Sequence, residues 1–265
     1  MEKRFGTWAE ILDITILIGA VIVLVAWVLG FPLFYLTDGP VMSIFTAISL
    51  LVIVGLRLAT RHFHLWPFTA NLALLMIVGG GNISSMLMLL SAPAVHINPK
   101  STLVMTSVFT SVGLVFFSVY EILLYLRKTP NSVWILDDIL IHLALVPGGL
   151  SLIGHIFQNP TYLSMSIDPR VGVSPLEMVF MATLVLSTLL SNPNLFLWKF
   201  LKGGLTNQLT FLGLFINQYI APIIYLEFAG FGRHTAVFGP ELFIFLGGVI
   251  ATLGFLLLQA QQERN

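Results

Sequence analysis

Apolar runs about twenty residues long, separated by short polar or proline- and glycine-marked stretches, follow one another along almost the whole chain. In hydrocarbon every backbone N–H and C=O needs an internal partner, and an apolar segment of about 20 residues supplies it by coiling into a helix. The pattern predicts eight such spans: Ile11 to Gly30, Val41 to Ala59, Pro67 to Leu90, Leu103 to Leu126, Val133 to Phe157, Pro175 to Leu190, Leu209 to Leu226 and Leu242 to Leu258. The sixth falls below the usual minimum of about 17 residues. It must borrow from Leu195, Phe196 and Trp198 or be buried among its neighbours, and a seven-span alternative stays open.

The polar residues between the spans give the direction. With eight spans and an inside start, Lys3, Arg4, Arg57, Arg61, Arg127, Lys128, Lys199, Lys202 and Arg264 fall on one side, and only Lys100, Arg170 and Arg233 on the other. The positive-inside rule then sets both ends in the cytoplasm. Trp8, Trp66, Trp134 and Trp198 sit near expected cytoplasmic ends, where an amphipathic ring is best placed.

Composition agrees. Of 265 residues, 57% are hydrophobic and 9% charged, too apolar for water to be the solvent of one soluble core. The lipid bilayer is therefore the first partner expected. Twelve basic and twelve acidic residues balance to zero, so no concentrated basic face points to nucleic acid. With no cysteine there are no disulfides, thiolate chemistry or Cys-based zinc sites. The first apolar segment lacks a small-residue cleavage signature and reads as a retained helix.

The two halves, 1–128 and 129–265, echo one another, each offering four spans with matching punctuation. Leu24 to Pro32 aligns with Leu152 to Pro160, the following helix opens with Met42 through Thr46-Ala47 or Met178 through Ala182-Thr183, and the last helix begins after Asn98-Pro99 or Gly239-Pro240. An even number of spans per half makes this a parallel duplication of a four-helix unit. The expected fold class is all-α, a polytopic transmembrane helical bundle.

At these residues the sequence resembles the N-terminal membrane-sensory regions of bacterial histidine kinases and diguanylate cyclases. The likeness lies in a helix ending in Gly and aromatic residues, a short loop, and the Met42-Ser-Ile-Phe-Thr46-Ala47 run through Gly55-Leu56. It continues in Ala144-Leu145-Val146-Pro147-Gly148 through Gly154, then Ser174-Pro175 to Asn192-Pro193. The resemblance implies a bacterial cytoplasmic membrane, a homo-oligomer, and a last helix leading through Gln259 to Arg264 into a cytoplasmic kinase or cyclase output domain. The chain ends before such a domain, so it is either a sensory part apart from its output or a stand-alone protein of the same membrane fold.

An ionisable group inside a span is costly enough, at ~2.5–3.5 kcal/mol on insertion scales, to need a reason. Asp13, Asp137 and Asp138 lie near cytoplasmic ends, within reach of water, basic side chains or the positive end of a helix dipole. Glu121 is expected to pair with Arg or Lys at the same face, Arg127 being nearest in sequence. The outer face of the second half gathers His155, Asp168, Arg170, Glu177, Glu227, Arg233, His234 and Glu241, against Asp38, His96 and Lys100 in the first. That asymmetry makes His155, Glu177, Glu227, Arg233 and His234 the candidate ligand site, the alternative being a salt-bridged loop cap. Gly79-Gly80-Gly81-Asn82, Pro147-Gly148-Gly149 and Asn217-Gln218 with Pro222 fall at mid-membrane. They can break helices around a substrate, with Asn217 and Gln218 as neutral ligands, or merely let helices pack closely.

Three functions are consistent with these residues: a sensory or interaction module signalling through its last helix, a transporter or channel, and a b-haem electron carrier. The haem reading rests on His142 and His155, thirteen apart on one helix, with His62 or His64 inside and His96 or His234 outside as partners. No nucleophile, paired carboxylates or metal-ligand cluster suggests catalysis, so no enzyme and no metal site is expected.

Overall fold

The computed structural model describes residues 2–31, 33, 40–62, 68–91, 106–127, 134–157, 162–163, 172–228 and 240–262. Among these the chain is all-helical: α1 Glu2–Val28, α2 Ile44–His62, α3 Phe68–Ser91, α4 Val108–Leu126, α5 Ile135–Phe157, α6 Pro175–Ser191, α7 Phe196–Lys202, α8 Leu205–Phe228 and α9 Pro240–Gln262. Each of the eight expected apolar segments is a helix of at least 17 residues. Six are long and apolar enough to cross a membrane, namely α1 to α5 and α9, and counting α6 with α7 as one broken span makes seven. Ile18, Ile22 and Val25 of α1, Met76 and Ile77 of α3 and Phe243 and Ile250 of α9 are exposed, the faces lipid would cover.

The sixth segment does not run on through Phe196 and Trp198. Its helix ends at Ser191, Asn192 to Leu195 form a break, and α7 is a separate element. On α6 itself Phe180, Met181, Leu184, Val185, Ser187 and Thr188 are buried, while Val179 and Leu186 are exposed. Apolar runs carry no mark that separates a continuous helix from two short ones, and here the break falls at Asn192-Pro193-Asn194.

Packing divides the chain into two compact units: Met1–Pro130 with Leu140–Asn192, and Asn131–Ile139 with Pro193–Asn265. Helix α5 begins in the second and continues in the first. A division by packing and a division by sequence repeat are different things, so these units need not follow the boundary at 128.

In the first unit α1 packs on α2 and α6, α3 on α4, and α2 and α6 on α4. A Cβ on Gly19 of α1 would fall 2.4 Å from the Phe180 ring of α6, so these helices meet where Gly19 leaves room. The glycines of α3 act the same way: a Cβ at Gly79 would come within 3.3 Å of Ser118, and one at Gly81 within 2.5 Å of Phe45. Helices α3 and α5 run unbroken through Gly79-Gly80-Gly81 and Pro147-Gly148-Gly149. At Gly79 and Gly81, close packing is therefore the role the backbone punctuation has.

In the second unit α8 and α9 form a pair and α7 packs on both. A Cβ on Gly248 of α9 would meet the Gln218 backbone at 2.7 Å, which sets the α8–α9 crossing. Helix α8 continues through Pro222. Phe196, Phe200, Leu256 and Ala260 form a small core where α7 meets the end of α9, with Ile135, Phe211 and Phe255 against it.

Candidate functional site: two buried polar layers on three helices

Three helices of the first unit open on the same local signal. Ser43, Ser107 and Ser174 precede α2, α4 and α6, and each accepts on its hydroxyl the backbone N–H three residues on, of Thr46 (3.0 Å), Thr110 (3.1 Å) and Glu177 (3.1 Å). A serine in this position satisfies one of the four N–H groups a helix start leaves open. At α6 the box is reciprocal, because the Glu177 carboxylate accepts the Ser174 N–H at 3.1 Å.

Glu177 does more than close its own helix. Its Oε1 accepts the Thr46 hydroxyl of α2 at 2.9 Å and the Ser43 N–H at 3.4 Å, and its Oε2 the Thr110 hydroxyl of α4 at 3.3 Å. The Ser43, Thr46 and Thr106 hydroxyls lie 2.8 to 3.5 Å from one another. One carboxylate, 1% exposed, thus ties together the starts of three helices, where the partial positive charge of each backbone favours an anion.

Eleven residues further along each helix (46 to 57, 110 to 121, 177 to 188) stands a second layer: Arg57, Glu121 and Thr188. Eleven residues are three turns, about 16.5 Å, so the same face returns. Arg57 Nε donates to Glu121 Oε1 at 2.6 Å, Nη2 also pairs with that oxygen, and Nη2 donates to Thr188 Oγ1 at 2.6 Å. Helix α1 supplies Asp13, fully buried, whose Oδ1 lies 3.6 Å from Arg57 Nη1 and whose Oδ2 lies 3.2 Å from Arg61 Nη1. Ser187 of α6 donates to Asp13 and to the Ala9 carbonyl. Two guanidinium and two carboxylate groups balance in charge, as burial in a low-dielectric surrounding requires. Between the layers the three helices bury Leu50, Ile53, Val54, Leu114, Phe117, Met181 and Leu184.

The Arg57 layer borders a cavity of about 260 Å³ lined by Arg57, Thr60, Arg61, Glu121, Tyr125 and Ser191 among others. Arg61 Nη2 donates to Ser191 Oγ at 2.6 Å, and the Thr60 and Tyr125 hydroxyls lie 2.8 Å apart. Arg61 is the exposed edge of this cavity, with 32% of its side chain open to solvent, against 8% for Arg57.

Of the residues expected to bind a ligand, those whose side chains are described are His155, Glu177, Asn217 and Gln218. His155 and Glu177 both belong to the first unit, but the His155 ring nitrogen Nε2 lies 2.8 Å from the Val173 carbonyl, and Glu177 is buried among hydroxyls. Asn217 and Gln218 are neighbours on α8 that face apart. Asn217 is exposed, whereas Gln218 is fully buried and accepts the Thr252 hydroxyl of α9 at 3.3 Å. Arg233, His234 and the side chain of Glu227 lie outside the described residues, as do the histidines 64 and 96 considered for haem. His62 lies 3.0 Å from Glu10, and His142 is buried in α5.

Glu121 pairs with Arg57, not Arg127, because the partner that matters is across the helix interface and not along the chain. Asp13 meets basic groups as expected, but inside the bundle and away from water. Asp138, in the first turn of α5, turns its carboxylate to the Phe196 and Leu197 N–H groups of α7, at 3.0 and 2.9 Å. The sequence signal for the layered site was available in the threefold Ser-x-x-Thr or Ser-x-x-Glu and the eleven-residue interval behind it.

Neither a family model, nor a curated protein, nor a solved structure matches the chain.

Proposed function

We propose that this protein is a membrane-embedded sensory module of about eight spans, with both ends in the cytoplasm. It binds a small polar ligand in the cavity beside Arg57 and passes occupancy through α5 and the last helix to a cytoplasmic partner. The observation that carries this reading is the sharing of one buried guanidinium among α1, α2, α4 and α6, through Asp13, Glu121 and Thr188, at the wall of a cavity. A ligand carboxylate or phosphate competing for Arg57 or Arg61 would exchange partners on four helices at once, which is the differential contact a two-state sensor needs. Helix α5 belongs to both packing units and so joins covalently the unit that holds the site to the unit that contains α9. A parallel duplication and a likeness to kinase and cyclase sensory regions, both expectations from the sequence, would fit this role.

The test is a thermal-shift screen of the purified full chain with amino acids, short dicarboxylates and inorganic phosphate. A stabilising compound whose effect disappears in Arg61→Gln supports the site; shifts that survive Arg61→Gln and Thr188→Val, or no shift with any of the three classes, overturn it.

A transporter is the second reading, favoured by the two buried polar layers on the same helices. Uptake of the stabilising compound by proteoliposomes, abolished by Glu177→Gln, would make transport the better account. The b-haem reading is tested by the absorbance spectrum of the purified protein, which is expected to be featureless in the Soret region.

A further inference from the structure

Helix α7 is seven residues long, Phe196–Lys202, about 10.5 Å at 1.5 Å per residue, a third of the hydrocarbon thickness. It cannot cross a bilayer, yet it is built with care. Phe196 and Phe200, one turn apart, are buried against Leu256 and Ala260 of α9. The Phe200 ring meets Phe211 at 6.4 Å and Phe255 edge-on at 5.4 Å. The start of the helix has no side-chain cap from Leu195, and Asp138 supplies one from α5. Its end turns at Gly203 and Gly204, and Gly204 has φ +119°, a backbone angle that glycine alone adopts without strain.

Away from the phenylalanines, Lys199 and Lys202 are exposed and three residues apart, so they share a face. Among the described residues neither lies within ion-pair distance of an acid. From Asn192 to Leu226 the sequence carries these two lysines and no Asp or Glu. Trp198, half-buried, stands beside them. A short helix anchored by aromatic rings, with a cationic edge and a Trp next to it, has the chemistry of an element that lies at the headgroup level.

We infer that α7 is an interfacial helix whose Lys199–Lys202 edge binds the headgroups of anionic phospholipids. Because its apolar side is packed against Leu256 and Ala260, near the end of α9, headgroup binding acts on the last helix directly. The inference goes beyond the ligand cavity and needs only that the chain sits in a bilayer.

The experiment places the full chain in nanodiscs of phosphatidylcholine, with or without phosphatidylglycerol, and follows hydrogen–deuterium exchange of backbone amides 197–204. Exchange is expected to slow about fivefold or more in the anionic discs, the effect of one to two lysines near an anionic surface. The double variant Lys199→Gln, Lys202→Gln should lose that difference while unfolding at the same temperature in neutral discs. Equal exchange of the unaltered protein in both discs overturns the inference, as does a difference that persists in the variant. Protection reproduced by inorganic phosphate in neutral discs also overturns it, since the site would then read free phosphate. Both leaflets of a disc have one composition, so the result is independent of orientation and of any compound found for the Arg57 cavity.

Discussion

Arg57 is the residue on which the first unit turns. A buried guanidinium left without its carboxylate is an uncompensated charge in a low-dielectric surrounding, and breaking such a pair from one side costs about 3–5 kcal/mol. Arg57→Ala and Glu121→Ala are each expected to lower unfolding free energy by that order, and the double variant by clearly less than their sum. Chemical denaturation of the detergent-solubilised protein measures all three, and strict additivity would mean that the pair is not coupled. Arg57 and Glu121 were visible in the sequence as charges inside apolar runs, but their pairing was not. They lie 64 positions apart, and nearness along the chain favoured Arg127. Glu177 was legible as a functional candidate. Its partners Thr46 and Thr110 were not, because nothing along the chain shows which hydroxyl of a helix's first turn faces a carboxylate until another helix is set beside it.

At the scale of elements, apolar run length located all eight long helices, most of their ends to within about five residues, since the backbone's need for internal hydrogen bonds leaves little choice in so apolar a sequence; the exception is α1, which begins at Glu2, nine residues before Ile11. What it did not give was the division between α6 and α7, or the difference between Asn217 and Gln218. Adjacent residues on a helix point about 100° apart, and only the position of α9 decides which one is buried. Gly248 is where that position is set. Gly248→Leu is expected to force α8 and α9 apart, since the added atoms would collide with the Gln218 backbone, and to lower the melting temperature by several degrees. Gly148→Ala, where the space beside the glycine is open, should leave it unchanged or slightly higher. A thermal melt of the two variants side by side checks this, and an undisturbed Gly248→Leu protein would remove the argument for close α8–α9 contact.

For the whole molecule, composition pointed to lipid as the cover of much of the surface, and six helices long and apolar enough to cross a membrane, with exposed Ile, Leu, Met and Phe side chains on α1, α3 and α9, are consistent with it. The direction of insertion rests on charge asymmetry. The absence of cysteine offers a direct test, since any introduced thiol is the sole one. A cysteine replacing Asn265 should resist a membrane-impermeant maleimide in intact cells and react after lysis, while one replacing Val171, beside Arg170, should react in intact cells. The reverse pattern would turn the whole arrangement over.

The repeat of polar contacts after three turns has a mechanical side. A helix clamped at one level can still creep along its axis, but α2, α4 and α6 are pinned at two levels in the same register. Sliding α2 by a single turn would break the Thr46–Glu177 contact and move Arg57 off both Glu121 and Thr188 together. Such double pinning disfavours axial slip of α2 against α4 and α6 more than it disfavours their tilting together, and Asp13 fastens α1 to the same level.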